Sequence, residues 1–415
     1  MRDMPSPIID SPVSIRGTAP LNENPGIGAS RKNERPAELP ALTSLRGLAA
    51  VAVVLFHSSF LAFNYAGGAP PWIWRRGYLA VDLFFFLSGF VLTHVYGNRF
   101  ADERSWQTVG KFLWARFCRI YPASLFTAGI FVLLYATGRT PFPPGISFKD
   151  QLIAALLLMQ VPWLDHVLIN GPSWSISAEW YAYLLFPFAV PMICRLRGRA
   201  AAVFCTMLLI GIAIDHMIFT HEQQDWGWGA LARALPEFMV GVFAYRSYSE
   251  RLFRKIWEKD ATLIAVVALI VAACLRGTSD GLIVILLVAL LLASVCNSGR
   301  LAGILNAGPL RWLGEVSYSV YIFQMLPLMV AVSLSQVLVA YGFGGSRFEA
   351  IAALFVIGSG VLVHRCVDLP VRTALRRLPD RVARFTLPYR DANTIATPKL
   401  INHLETRRGP CGSGS

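Results

Sequence analysis

From Leu45 to Val367 the chain alternates long apolar runs with short breaks that are polar or carry glycine or proline. A bilayer core of about 30 Å takes roughly 20 residues of helix to cross. Runs of that order predict spanning helices near 45–64, 78–96, 120–137, 174–193, 201–219, 229–245, 261–275, 281–296, 316–340 and 348–366. The predicted fold is therefore all-α, a polytopic transmembrane helical bundle of about ten spans. A further run, QLIAALLLMQVPWL at 151–164, is short and carries Pro162. It fits a re-entrant or interfacial helix better than a crossing.

Composition agrees with this pattern and overrides length. A chain of 415 residues would ordinarily suggest two or three soluble domains, but 55% of it is hydrophobic and only 15% charged, with a mean hydropathy of +0.50. The formal net charge of +13 raises nucleic acid as a partner, yet the Lys and Arg residues cluster in short loops between apolar runs. Positive-inside topology explains them, and no nucleic-acid face is expected.

If 151–164 does not cross, the basic loops 97–119, 194–200 and 246–260 and the arginine-rich end all fall on one side. The loop HEQQDWGWG at 220–228, with no Lys or Arg, then falls on the other. Both termini are accordingly expected in the cytoplasm, with Arg75 and Arg76 in loop 65–77 as the exception.

Three regions follow: a proline-rich, disordered cytoplasmic tail at 1–40, a membrane domain at 41–372, and a basic tail at 373–415. The first 40 residues contain no apolar leader core, so targeting is expected to fall to the first helix. In the second tail RTALRRLPDRVARF reads as a short amphipathic helix on anionic membrane lipid. Of seven scattered cysteines, Cys194, Cys205, Cys274, Cys296 and Cys366 lie in or beside apolar runs without CxxC pairing and read as small apolar core residues, not as metal ligands or disulfides.

Ionisable residues inside apolar runs are expensive, and they are the candidates for chemistry. In LTSLRGLAAVAVVLFHSSF, Arg46 and His57 are eleven positions apart. That is close to three turns, so both lie on one helix face about 16 Å apart along the axis. Thr43 or Ser44 is the expected N-cap. Arg46 then sits at the cytoplasmic surface, where it reads equally as a snorkelling anchor. His57 lies near the midplane, facing the bundle interior or a wet cavity, and a satisfied core histidine is the alternative.

The second helix, GYLAVDLFFFLSGF, brings Asp82 one turn inside and the small pair Ser88-Gly89 near its middle. Asp82 can pair with an arginine or with the His57 imidazole. In KFLWARFCRIYP, Arg116 and Arg119 are neighbours on a cytoplasm-facing helix expected to end near Pro122. Two guanidinium forks suit a phosphate, and an ordinary basic interfacial helix reads equally. In NGPSWSISAEWYAYLLFPF, Glu179 lies one to two turns inside on the face of Ser175. A buried carboxylate needs a partner, and Arg46, His57 or a substrate hydroxyl can serve. Arg233 and Glu237, four apart in RALPEFMVG, can satisfy each other.

Taken in order, R-x10-H at Arg46 and His57, VDLFFFLSGF, R-x-x-R at Arg116 and Arg119, and PSWSISAEW resemble the membrane acyltransferase 3 family. These are bacterial O-acyltransferases of surface polysaccharides and other hydroxylated acceptors. The resemblance covers 41–372, including RALPEFMVG, LGEVSYSVYIFQMLP and VDLP. Gln324 stands where the family often has His, and Asp368 where it often has Glu. The chain resembles the stand-alone form, without a fused extracytoplasmic domain.

The resemblance implies a multi-pass protein of the bacterial inner membrane with no bound cofactor or metal. Acyl-CoA, usually acetyl-CoA, is implied as co-substrate, and a glycan or lipid-linked sugar hydroxyl as acceptor. His57 is then the general base, oriented by Glu179 or Asp82, with an acyl-histidine relay as the close variant. Arg46, Arg116 and Arg119 meet the CoA phosphates, and Ser88, Trp174, Ser175 and Ser177 shape the site or face the acceptor. A rival reading is a secondary transporter of an anionic solute, with Arg46, His57 and Glu179 as binding and proton-relay site. No inverted repeat supports it. A polysaccharide-assembly scaffold without activity is a third.

Overall fold

The computed structural model describes residues 37–65, 74–102, 105–139, 147–158, 161–163, 170–196, 198–219 and 225–378. The expected tails, 1–40 and 373–415, lie almost wholly outside the described residues. Among the described residues there is no strand. The helices are α1 Pro40–Tyr65, α2 Ala80–Asp102 entered through the 3₁₀ turn Trp74–Leu79, α3 Trp106–Ala136, α4 Phe148–Leu157, α5 Ser173–Arg195 and α6 Gly198–Ile218. They continue with α7 Gly227–Ser249, α8 Asp260–Arg276, α9 Asp280–Cys296, α10 Gly308–Phe323, α11 Met325–Ser333, α12 Ser346–Val363 and α13 Leu369–Arg376, and shorter turns join them.

Among the described residues six helices are long and apolar enough to cross a membrane by length and composition, or seven if the bent pair α10–α11 is one span. The other predicted spans are helical too, but each falls short for a visible reason. Helices α8 and α9 have 17 residues each, about 26 Å against the roughly 30 Å of a bilayer core. Helix α7 carries Arg233 and Glu237 inside its length. The ten residues of α4 are too few for a crossing, in keeping with the re-entrant or interfacial assignment of 151–164.

Three local expectations change. The first helix begins at Pro40, whose missing N–H costs nothing in a first turn, so neither Thr43 nor Ser44 is its cap. Helix α3 does not end near Pro122. It runs 31 residues with Pro122 buried inside it, and the Tyr318 hydroxyl donates to the Ile120 carbonyl beside the proline. Arg116 and Arg119 therefore lie midway along a long helix. The predicted span 316–340 is broken instead, with a 62° bend between α10 and α11. Pro327 supplies the reason, because it has no N–H for the Phe323 carbonyl and its ring crowds that turn.

Helix α2 is the most enclosed candidate span, with 67% of its apolar window buried, and α6 the least, with 17%. Small residues let α2 sit that deep. A Cβ on Gly89 would fall 2.0 Å from the Phe238 carbonyl oxygen of α7, and one on Gly241 would fall 2.2 Å from that of Phe86. The two backbones cross in contact, with Phe86, Phe90 and Phe238 fully buried around them. Gly47 and Gly314 make the equivalent approach of α1 to α10.

Gly241→Val has no room at this crossing and is expected to cost about 3 kcal/mol, the upper part of the overpacking range. Gly110→Ala, with nothing within 4 Å of its added methyl group, is the matched neutral control. Thermal unfolding of detergent-solubilised protein reads the difference, and equal melting of Gly241→Val and wild type would contradict the crossing.

Candidate active site

A cavity of about 170 Å³ opens among α1, α2, α3, α5 and α10. Its polar wall consists of Arg46, Ser88, Arg116, Arg119, Ser175, Glu179, Tyr183, Ser317, Tyr318 and Tyr321, and its apolar wall includes Phe84, Phe85 and Ile176. Six of the sequence-predicted residues thus meet at one place: Arg46, Ser88, Arg116, Arg119, Ser175 and Glu179.

Their partners show how charge is held there. The Ser88 hydroxyl donates to Glu179 Oε1 at 2.6 Å, and the Tyr183 hydroxyl, one turn further along α5, donates to the same oxygen at 2.5 Å. One oxygen of this half-buried carboxylate is therefore taken by two hydroxyls. Arg116 lies over the Tyr96 ring, 5.5 Å from its centroid, and donates to its hydroxyl at 3.4 Å. Arg119 lies 5.3 Å over the Tyr318 ring and 3.8 Å from Asp368. Arg46 has no hydrogen-bond or ion-pair partner among the described residues. Three guanidinium groups thus line one cavity with a single carboxylate, two of them stacked on tyrosine rings.

Asp368 anchors this wall. Besides Arg119 it meets Arg372 at 3.6 Å, His364 Nδ1 at 3.2 Å and the Ser319 hydroxyl at 3.4 Å. The VDLP motif thereby holds the second arginine of R-x-x-R.

His57 is not among the residues that line the cavity. It lies on α1, half-buried, with Nδ1 3.1 Å from the Val53 carbonyl oxygen and 3.2 Å from Gln324 Oε1. Neither carboxylate expected to orient it does so. Glu179 is engaged by Ser88 and Tyr183, and Asp82 by an arginine. Arg233 forks onto Asp82 through Nε and Nη2, both at 2.8 Å, and reaches Asp225 with Nη1 at 2.8 Å. The predicted Arg233–Glu237 pair is corrected accordingly. Glu237 faces His216 Nε2 at 3.3 Å, and that nitrogen is 3.5 Å from Asp82.

Asp82, His216 and Glu237 are the one group among the described residues whose ligand atoms gather as for a metal ion. The guanidinium already occupies both oxygens of Asp82 and supplies the countercharge, so the cluster is accounted for as a buried ion-pair network. Trp174 belongs to this network and not to the cavity wall, with its ring 5.2 Å from the Arg233 guanidinium. Ser177 is likewise outside the cavity. It donates to the Leu158 carbonyl at 3.0 Å and accepts from the Val161 N–H at 3.2 Å, which ties the end of α4 to α5.

An all-helical bundle with spanning-length helices around an arginine-lined cavity defines a helical membrane protein. Residues 39–365 match the acyltransferase domain family, acyltransferase 3, and the chain belongs to that family. It is 29% identical over 412 residues to the acyltransferase MdmB of Streptomyces mycarofaciens, covering 88% of this chain and 98% of that protein. It is 23% identical over 376 residues to the peptidoglycan O-acetyltransferase OatA of Listeria monocytogenes, covering 80% of this chain. It spans only 56% of that relative's length. No solved structure matches the chain.

Sequence reasoning missed Tyr183, Tyr318, Tyr321 and His216, and it singled out Gln324 only as a departure from the family pattern. Tyr183 was open to it, four positions after Glu179 and so on the same face. Tyr318 and Tyr321 are three apart on α10, but their target across the bundle has no sequence signal.

Asp82→Ala leaves a buried arginine with one carboxylate fewer and is expected to cost about 3–5 kcal/mol. Replacing both partners, Asp82→Leu with Arg233→Met, is expected to recover most of that loss. Melting curves of the two variants decide, and a fully stable Asp82→Ala protein would contradict the network reading.

Proposed function

We propose that this protein is a membrane O-acyltransferase that moves an acyl group, acetyl in the simplest case, from cytosolic acyl-CoA to a hydroxyl of a cell-surface glycan or lipid-linked sugar. The reading rests above all on the cavity in which Arg46, Arg116 and Arg119 surround one carboxylate, one oxygen of which already accepts from two hydroxyls. That surplus of guanidinium suits the phosphates of CoA. Membership of an acyltransferase family supports the reaction class, and a relative named as a peptidoglycan O-acetyltransferase supports a glycan acceptor.

His57 is the proposed general base. It stands three turns along α1 from Arg46, about 16 Å by helical rise, a separation that an extended pantetheine arm bridges. The imidazole takes the acceptor proton as the hydroxyl oxygen attacks the thioester carbonyl. The carbon–sulfur bond then breaks, and the CoA thiolate leaves and takes up a proton. The topology that suits this chemistry is an inner-membrane bundle with both termini cytoplasmic, the donor entering at the arginines and the acceptor reaching His57. A transporter has no support from the family and leaves the arginine cavity without a covalent task.

Reconstituted protein given labelled acetyl-CoA and extracted lipid-linked sugar is expected to label the sugar. His57→Ala, inserted and folded, is expected to lose at least about a hundredfold in kcat. Arg46→Gln is expected to act mainly by raising KM for acetyl-CoA. Wild-type transfer by His57→Ala would rule out both the direct and the acyl-histidine versions.

A further inference from the structure

Gln324 sits at the broken junction of α10 and α11 and is fully buried, 0% exposed. Its amide orientation is forced by its neighbours. Nε2 donates to the Tyr321 carbonyl at 2.9 Å, so the other end, Oε1, is the one turned to His57 Nδ1 at 3.2 Å. The opposite flip would face two carbonyl oxygens at each other and lose that bond.

His57 Nδ1 is therefore met by two acceptors, the Gln324 amide oxygen and the Val53 carbonyl 3.1 Å away. A ring nitrogen between two oxygens that accept and never donate must itself carry the hydrogen. The neutral imidazole then has its lone pair on Nε2, and Nε2 has no hydrogen-bond partner among the described residues.

We propose that Gln324 is the positioning residue of the acyl transfer, holding His57 as the Nδ1–H tautomer so that Nε2 is the atom that receives the acceptor's proton. This assignment rests on the reading of His57 as the base. It differs from the expected carboxylate orienter in chemistry as well as identity. An amide oxygen selects the tautomer and the ring plane without placing a negative charge beside the imidazole. The ring thus returns to its neutral, proton-accepting form after each turnover without a paired anion to hold it charged.

The broken helix is what makes the arrangement possible. The Tyr321 carbonyl that fixes the amide lies three residues back, in the last turn of α10. The bend that follows swings the next segment away and leaves residue 324 at the corner against α1.

The test uses the full-length protein with ¹⁵N- and ¹³C-labelled histidine in detergent, the His57 signals being assigned by their loss in His57→Ala. The wild type is expected to show the Nδ1–H, Nε2-lone-pair pattern. Gln324→Met, of similar length but with no acceptor, is expected to show a measurable Nε2–H fraction. Its kcat is expected to fall roughly tenfold, with KM for acetyl-CoA unchanged. Gln324→Glu, which keeps an acceptor oxygen, is expected to restore the Nδ1–H pattern.

An Nε2–H tautomer in the wild type overturns the assignment, as does a Gln324→Met protein with wild-type tautomer ratio and kcat. The spectrum is independent of turnover. An active His57→Ala beside an Nδ1–H wild-type signal would sink the base and leave the tautomer assignment standing.

Discussion

The fork of Arg233 onto Asp82 is the contact on which the interior depends. Both residues are buried, on helices whose backbones touch at Gly89 and Gly241. A charge in such a place is tolerable only when a partner meets it with good geometry and its remaining donors are used. Two contacts of 2.8 Å to Asp82 and a third to Asp225 do that, and Trp174 covers the face of the guanidinium. With α2 fixed against α7 by this pair, Ser88, six residues beyond Asp82, is presented to Glu179 on α5.

The molecule therefore contains two kinds of buried charge. Around Arg233, cation and carboxylates neutralise one another, and the cluster holds helices together. Around Arg46 the balance is left open: Arg119 leans on Asp368, Arg116 on a tyrosine ring, and Glu179 on hydroxyls. Residue types alone do not separate these cases, since both are arginines and acids inside apolar helices. Which arginine reaches which acid decides it.

That distinction also marks how far the sequence could be read. Arg46, Ser88, Arg116, Arg119, Ser175 and Glu179 were legible because each occupies a recognisable motif, and the cavity they share is seen only in the structure. The partner of Asp82 lies 151 positions away, beyond the reach of the i, i+4 rule that suggested Arg233 and Glu237. Two prolines misled in opposite directions. Pro122 reads as a stop but is absorbed within α3, where packing supports the turn around it. Pro327 sits in an apolar run that reads as continuous, yet the helix breaks just before it. Both prolines remove one helical N–H, and only α3 continues past its own. Gln324 looked like a departure from the family pattern, and only its contact with α1 gives it a role.

The Arg46 guanidinium, which makes no hydrogen bond or ion pair among the described residues, has a thermodynamic consequence. Three guanidinium groups share the cavity with one carboxylate, Glu179, so an excess of positive charge raises the free energy of the empty site, and on the proposed reading a bound anion supplies the missing charge. Ligand affinity and folding stability are then linked quantities: whatever stabilises the anion in the cavity also lifts the population of the intact fold. On the proposed reading the unliganded protein carries, as a standing electrostatic debt, part of the free energy that makes an anionic ligand bind.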